Sequence, residues 1–139
     1  MQPIKNILLV EDDIDDQSFF INAISTLDNV ALQHISINGI DALDNLLHST
    51  TLPDLIFMDI NMPLMNGLEC LAEIIKNPYL RNIPVIMLST SAQQATLTRA
   101  MGACAFIQKP SSEELLRNKI EYTVSLDFSR SNRAVALLN

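Results

Sequence analysis

The chain has 139 residues, 48% apolar and 18% charged, with 16 acidic against 9 basic side chains and a formal net charge of -7. That is a globular composition whose acidic balance offers no electrostatic footprint for nucleic acid and argues against an anionic membrane surface. No apolar stretch approaches the roughly 18 residues of a membrane span, and the run in "MQPIKNILLVEDD" is too short for a signal peptide, so a cytoplasmic protein is expected.

The first apolar run, "NILLV" (6–10), lacks strict alternation, as expected of a strand covered on both faces. It runs straight into acids: Glu11, Asp12 and Asp13 are consecutive, and Asp15 and Asp16 follow. Like charges crowded beside an apolar interior are costly unless they are paired or bound to a metal. "VALQHISI" (30–37) alternates more and reads as an edge strand, and Asn38 stands where it would cap a helix over "GIDALDNLL". "DLIFMDI" (54–60) reads as a buried strand ending at Asp59-Ile60-Asn61. Asn66 and Glu69 then have capping-box spacing, and in "GLECLAEIIKN" Leu68, Leu71, Ala72 and Ile75 share one helical face. "VIMLS" (85–89) ends at Ser89-Thr90, with Ser91 and Gln94 as the next start signal. "AFIQ" (105–108) ends at Lys109-Pro110, and Ser111 with Glu114 opens a last helix.

Such β-α alternation implies a parallel sheet with helices on both faces, and right-handed crossovers place all C-terminal strand ends on one edge. Ligands of open sheets bind at that edge. The strand ends therefore bring carboxylates, a hydroxyl and an ammonium to one cleft, where the acids meet Asp59. Hard oxygen donors with open positions suit Mg²⁺, which keeps several waters and accepts a phosphoryl oxygen. Zinc is not expected, because no His or Cys falls at a strand end. His34 and His48 are isolated, Cys70 and Cys104 read as buried reduced thiols, and Met58, Met62, Met65 and Met87 as core and turn filler. A Mg²⁺ ion, Lys109, the Ser89 hydroxyl and a carboxylate nucleophile compose a site for phosphoryl transfer onto Asp59, giving an acyl phosphate.

"LLVEDD", "LIFMDINMPLMNGLE", "PVIMLST" and "GACAFIQKP" resemble, in order and spacing, the motifs of two-component response-regulator receiver domains. The likeness covers about residues 4 to 126 and is greatest to stand-alone receivers of the chemotaxis type. It implies a flavodoxin-like, doubly wound five-stranded sheet of order 2-1-3-4-5, a receiver domain over 1–126 and a tail, or extension of the last helix, over 127–139. By position, Asp59 matches the phosphoacceptor, Asp12 the acid that ligates Mg²⁺ directly, Glu11 the acid acting through water, and Asn61 the residue whose backbone carbonyl completes the metal site. Ser89 and Phe106 match the switch hydroxyl and switch aromatic, Lys109 the family's lysine, and Pro110 the proline that follows a cis peptide. Ser89 replaces the commoner Thr, and Thr90 stands where a small residue is common. Asp13 is placed to stabilise the N-terminus of the first helix, and with Asp15 and Asp16 it is expected to face solvent there.

The resemblance implies a phosphorylation-dependent signalling switch rather than an enzyme acting on other molecules. A sensor histidine kinase or histidine phosphotransfer protein would supply the phosphoryl group, and the surface of the fourth helix, fifth strand and fifth helix would control a downstream protein. A homodimer through that surface or through the apolar tail is a further expectation of partners. A phosphorelay intermediate shares every site residue; a phosphorylation-independent binding module is the alternative from another class. A Mg²⁺-dependent phosphatase ranks last, since Asn61 stands where its second acid would be. Taken singly, Asp59 reads as an acid ending a strand and Phe106 as plain core; the combination points to a site.

Overall fold

Each apolar run becomes a strand, and each stretch of helical spacing between them becomes a helix. The computed structural model describes residues 3–128. In chain order it contains β1 (Lys5–Val10), α1 (Ile14–Ile24), β2 (Val30–Ser36), α2 (Gly39–Leu47), β3 (Leu55–Asp59), α3 (Gly67–Lys76), β4 (Val85–Ser89), a 3₁₀ turn (Ala92–Gln94), α4 (Ala95–Ala100), β5 (Ala105–Gln108) and α5 (Glu113–Ser125). The strands pair in the order β2-β1-β3-β4-β5, and every pairing is parallel. This is the expected flavodoxin-like topology, in which the strand order reverses at β1 and opens a crevice at the carboxyl edge between β1 and β3.

The absence of strict alternation has its explanation in the two cores. Every residue of β3 and β4 is buried. Successive side chains still point to opposite faces: Leu8, Val10, Ile56 and Met58 join α2 and α3 in one core, while Ile7, Leu9, Leu55 and Phe57 join α1 and α5 in the other. Phe20 of α1 meets Phe57 edge to face, with ring centroids 5.3 Å apart. The edge strand β2 is half-buried, and its register with β1 slips between Ile7 and Leu8, where partners jump from Leu32 to His34. Both cysteines are buried, and burial pushes the Cys70 thiol up to about 12, which makes it inert.

Side-chain caps set most of the helix starts, and two of these differ from the expected start signals. The Asn66–Glu69 capping box forms with both reciprocal bonds, and Asn38 caps α2 through Asp41 N–H. Helix α1 is capped by Asp13, which accepts from the N–H groups of Asp15 and Asp16 at 2.8 and 3.0 Å and is exposed, as expected of an acid at the start of that helix. Ser91 caps the short 3₁₀ turn through Gln93, so α4 starts later, at Ala95, and Gln94 at its cap makes no side-chain bond. Ser112, not Ser111, caps α5; adjacent hydroxyls offer the same chemistry, and a spacing pattern does not distinguish them. The face of α3 is also turned by about one position. Cys70, Leu71 and Ile74 are buried, whereas Leu68, Ala72 and Ile75 are only half-buried.

Two backbone features shape the loops at the carboxyl edge and behind it. Gly67 donates its N–H to Ile60 O at 2.8 Å, and a Cβ there would strike the Asp59 carbonyl, so α3 approaches the end of β3 as closely as a bare backbone allows. Leu64, in the loop between them, is 82% exposed and adopts φ 66, the only non-glycine with positive φ among the described residues. No helix among the described residues is long and apolar enough to cross a membrane. Phe128, assigned to the tail by the sequence reading, is buried against the α1–α5 core. The remainder of that tail, with Arg130 and Arg133, lies outside the described residues.

Candidate functional site

The ends of β1, β3 and β5 bring their polar residues together at the carboxyl edge. Glu11 follows β1 directly and is fixed by its N–H to Ser36 O of the neighbouring strand; Asp12 comes next. Asp59 is the last residue of β3, and Lys109 is the first beyond β5. One carboxylate oxygen from each of Glu11, Asp12 and Asp59 lies within 4.8 Å of the others. Glu11 and Asp59 are buried and Asp12 is exposed, so the cluster opens to solvent through Asp12.

The Lys109 ammonium, whose side chain is 18% exposed, reaches Asp59 Oδ1 at 2.8 Å, Glu11 Oε1 at 2.9 Å and Asp16 Oδ2 at 3.2 Å. The second oxygen of Glu11 accepts from Asp13 N–H at 3.2 Å. Electrostatics follow from burial and this one cation. Burial pushes Glu11 up to about 7, with the Lys109 hydrogen bond opposing it, and raises Asp59 for the same first reason, helped by repulsion from Asp12 and Asp16. Burial alone would lower Lys109, but its hydrogen bonds and attraction to Asp59 and Glu11 raise it, so it stays charged. A site with more carboxylates than cations, two of them buried, is one that welcomes a further positive charge. Its donors are hard oxygens, which fit a divalent cation of the Mg²⁺ type.

The other expected residues lie around this centre. Ser89 ends β4, is buried, and its hydroxyl accepts from Ser91 N–H at 3.2 Å. Its carbonyl accepts from Lys109 N–H at 2.7 Å, which ties the ends of β4 and β5 together. Phe106 is 1% exposed, packs with the α2–α3 core and pairs in register with Met87, two residues before Ser89. Asn61 is exposed, two residues past Asp59. The expected cis bond before Pro110 is not found: no cis peptide occurs among the described residues, and Lys109 reaches its acids from a trans bond. Sequence reasoning missed Asp16. The signal was its place on the first turn of the helix that leaves the acidic strand end, where a side chain can lean back over the sheet edge. A cavity of about 450 Å³ opens beside Asp16 and Lys109, walled by Phe19, Thr90, Pro110 and Leu116.

Residues 7–121 match the family model described as the response regulator receiver domain. This chain belongs to that family. Among relatives, it is 38% identical over 96 residues to the response regulator Rcp1 of Synechocystis, covering 64% of each chain. It is 26% identical over 127 residues to the sensor histidine kinase CheAY of Helicobacter pylori, covering 90% of this chain and 16% of that protein. The chain thus spans only a small part of several curated relatives, and their whole-protein activities are not carried over. In structure, the receiver resembles the Mn²⁺-bound form of Rcp1 with a TM-score of 0.76 at 29% identity, over 88% of this chain and 93% of that one. It also resembles the phosphorylated cyanobacterial phytochrome regulator RcpA, with a TM-score of 0.75 at 28% identity, over 86% of this chain and 91% of that one. The cluster of Glu11, Asp12 and Asp59 at the carboxyl edge fits a receiver site.

Proposed function

We propose that Asp59 is the phosphoacceptor of this receiver, and that a sensor histidine kinase or a histidine phosphotransfer protein supplies the phosphoryl group. The observation that carries the reading is the Lys109 ammonium 2.8 Å from Asp59 Oδ1 inside the three-acid cluster. In the transfer, a carboxylate oxygen of Asp59 attacks phosphorus, the P–N bond to the donor imidazole breaks, and the imidazole leaves with the electron pair. Lys109 offsets part of the burial that opposes ionisation of Asp59, which keeps the nucleophile available, and its ammonium then meets the transferred oxygens. Asp12, Glu11, Asp59 and the Asn61 carbonyl are the ligand set we assign to Mg²⁺. When bound, the ion supplies positive charge to the phosphoryl oxygens. The Mn²⁺ bound by the structurally similar Rcp1 supports a divalent ion here.

Ser89 and Phe106 carry the switch in this reading. The Ser89 hydroxyl donates to a phosphoryl oxygen, and to do so it turns away from Ser91 N–H. Ser91 caps the turn that leads into α4, so the loss of that bond is felt at the start of α4. Phe106, two residues along the neighbouring register, turns into the space so created. The α4–β5–α5 surface changes as a result, and its exposed Leu97, Leu115 and Tyr122 present apolar contact area to a downstream protein or a second copy. The test is intact mass after incubation with acetyl phosphate, with and without Mg²⁺, for wild type and Asp59→Asn. A Mg²⁺-dependent gain of one phosphoryl group that is lost in the variant supports the proposal. Equal labelling of the variant refutes it.

A further inference from the structure

We propose that Asp16 is a positioning residue that tethers Lys109 toward α1 and competes with an incoming phosphoryl group for its ammonium, thereby setting the rate of phosphoryl uptake. This rests on Asp59 being the phosphoacceptor. A lysine ammonium has three N–H donors and no more. Here three carboxylates engage it: Asp59 at 2.8 Å, Glu11 at 2.9 Å and Asp16 at 3.2 Å. A transferred phosphoryl group brings several strong acceptors. Phosphorylation of Asp59 frees the N–H that it held, and any second N–H given to the phosphoryl oxygens comes from Glu11 or Asp16. Glu11 has a side chain only 3% exposed, and abandoning it would leave a buried carboxyl group without its hydrogen-bond partner. The Asp16 side chain is 50% exposed, and the pair borders the cavity beside α1, so water replaces the lysine there at small cost.

Asp16 is therefore the carboxylate that yields. Its place is not accidental in the local geometry, because Asp13 holds the first turn of α1 by accepting the Asp16 N–H at 3.0 Å. The tether raises the barrier to uptake, since the bond exists in the resting state and is broken as phosphorus is transferred. It bears much less on phosphoryl loss, because in the phosphorylated protein the bond is already broken. A residue that merely supported the fold would not split the two rates in this way.

The experiment uses the full chain with acetyl phosphate and Mg²⁺, following intact mass over time, and then following loss of label after donor removal. In uptake the acyl–phosphate bond of the donor breaks, the Asp59 Oδ–P bond forms and acetate leaves. Asp16→Asn should take up label about fivefold faster than wild type, the size expected for a half-exposed ion pair, while its loss rate stays within about twofold. Asp16→Glu keeps the charge and should remain within about twofold of wild type in both rates. Asp15→Asn makes the same charge change on the same turn and should leave uptake unchanged. Equal uptake by Asp16→Asn and wild type, or equal acceleration by Asp15→Asn, overturns the proposal while leaving the phosphoacceptor intact. Labelling that persists in Asp59→Asn overturns both.

Discussion

Replacing Gly67 by Ala tests whether α3 is docked on the end of β3 as tightly as the structure shows. The added Cβ would meet Asp59 O at a separation no real contact adopts, and would lie 2.9 Å from Ile60 Cα and 3.0 Å from the Asp59 carbonyl carbon. These are backbone atoms of a fully buried strand end, so no flexible side chain can give way. The helix must withdraw, at an overpacking cost of about 1–3 kcal/mol. Withdrawal also stretches the 2.8 Å bond from Gly67 N–H to Ile60 O and disturbs the adjoining Asn66–Glu69 box, for about 1 kcal/mol more. Against this, Ala is the better helix former by up to about 1 kcal/mol. The net expectation is a loss of about 2 kcal/mol, read as a urea midpoint lower by about 1 M. Because the struck carbonyl belongs to Asp59, phosphoryl uptake should slow as well. A midpoint at or above that of wild type would mean that propensity wins and the close approach is wrong. Early unfolding with normal uptake would keep the packing argument but sever it from the site.

Glu11, pushed up to about 7 by burial, makes the metal-free protein sensitive to pH. Between about pH 4.5 and 7 the native state holds a proton that the unfolded chain has released, so this contribution is full at low pH and is lost as pH rises through about 7. Its size is at most about 3 kcal/mol. Urea unfolding in chelator should show stability falling from pH 5 to 8 in wild type and a flatter profile in Glu11→Gln; a wild-type profile that rises refutes the assignment. Leu64→Gly should relieve the positive φ of an exposed residue and stabilise by about 0.5 kcal/mol after the entropy of glycine is counted. A lower melting temperature for Leu64→Gly would show that the leucine side chain contributes more than its backbone costs.

The sequence was legible wherever a single interaction decides the structure. Asp59 and Lys109 follow apolar runs that must be buried strands, and parallel crossovers leave their ends no other edge to occupy. Asn38 and Asn66 are the sole cap candidates at their helix starts, and both cap. Legibility fails where two residues compete on equal terms or where the outcome depends on tertiary reach. Ser111 and Ser112 are one such pair. On α3 the small Cys70 and Gly67 let the helix settle one position round from the face drawn by leucine and isoleucine alone. Asp16 looked like a solvated charge because nothing in α1 reveals that a lysine 93 residues later lies 3.2 Å away. Phe128 looked like tail because its burial depends on the fit of α5 against α1.

The 2.7 Å bond from Lys109 N–H to Ser89 O has a mechanical consequence. It extends the β4–β5 ladder past its last regular pair and fastens the two strand tips to each other, so neither can slide along its axis without the other. The hydroxyl and the ammonium are therefore mounted on one rigid rail. Whatever reaches the outer surface has to leave this rail by torsion about side-chain bonds, on the rapid timescale of rotamer exchange, before any helix follows more slowly. Amide exchange along both strands should stay flat while side-chain probes at Ser89 and Phe106 report the event.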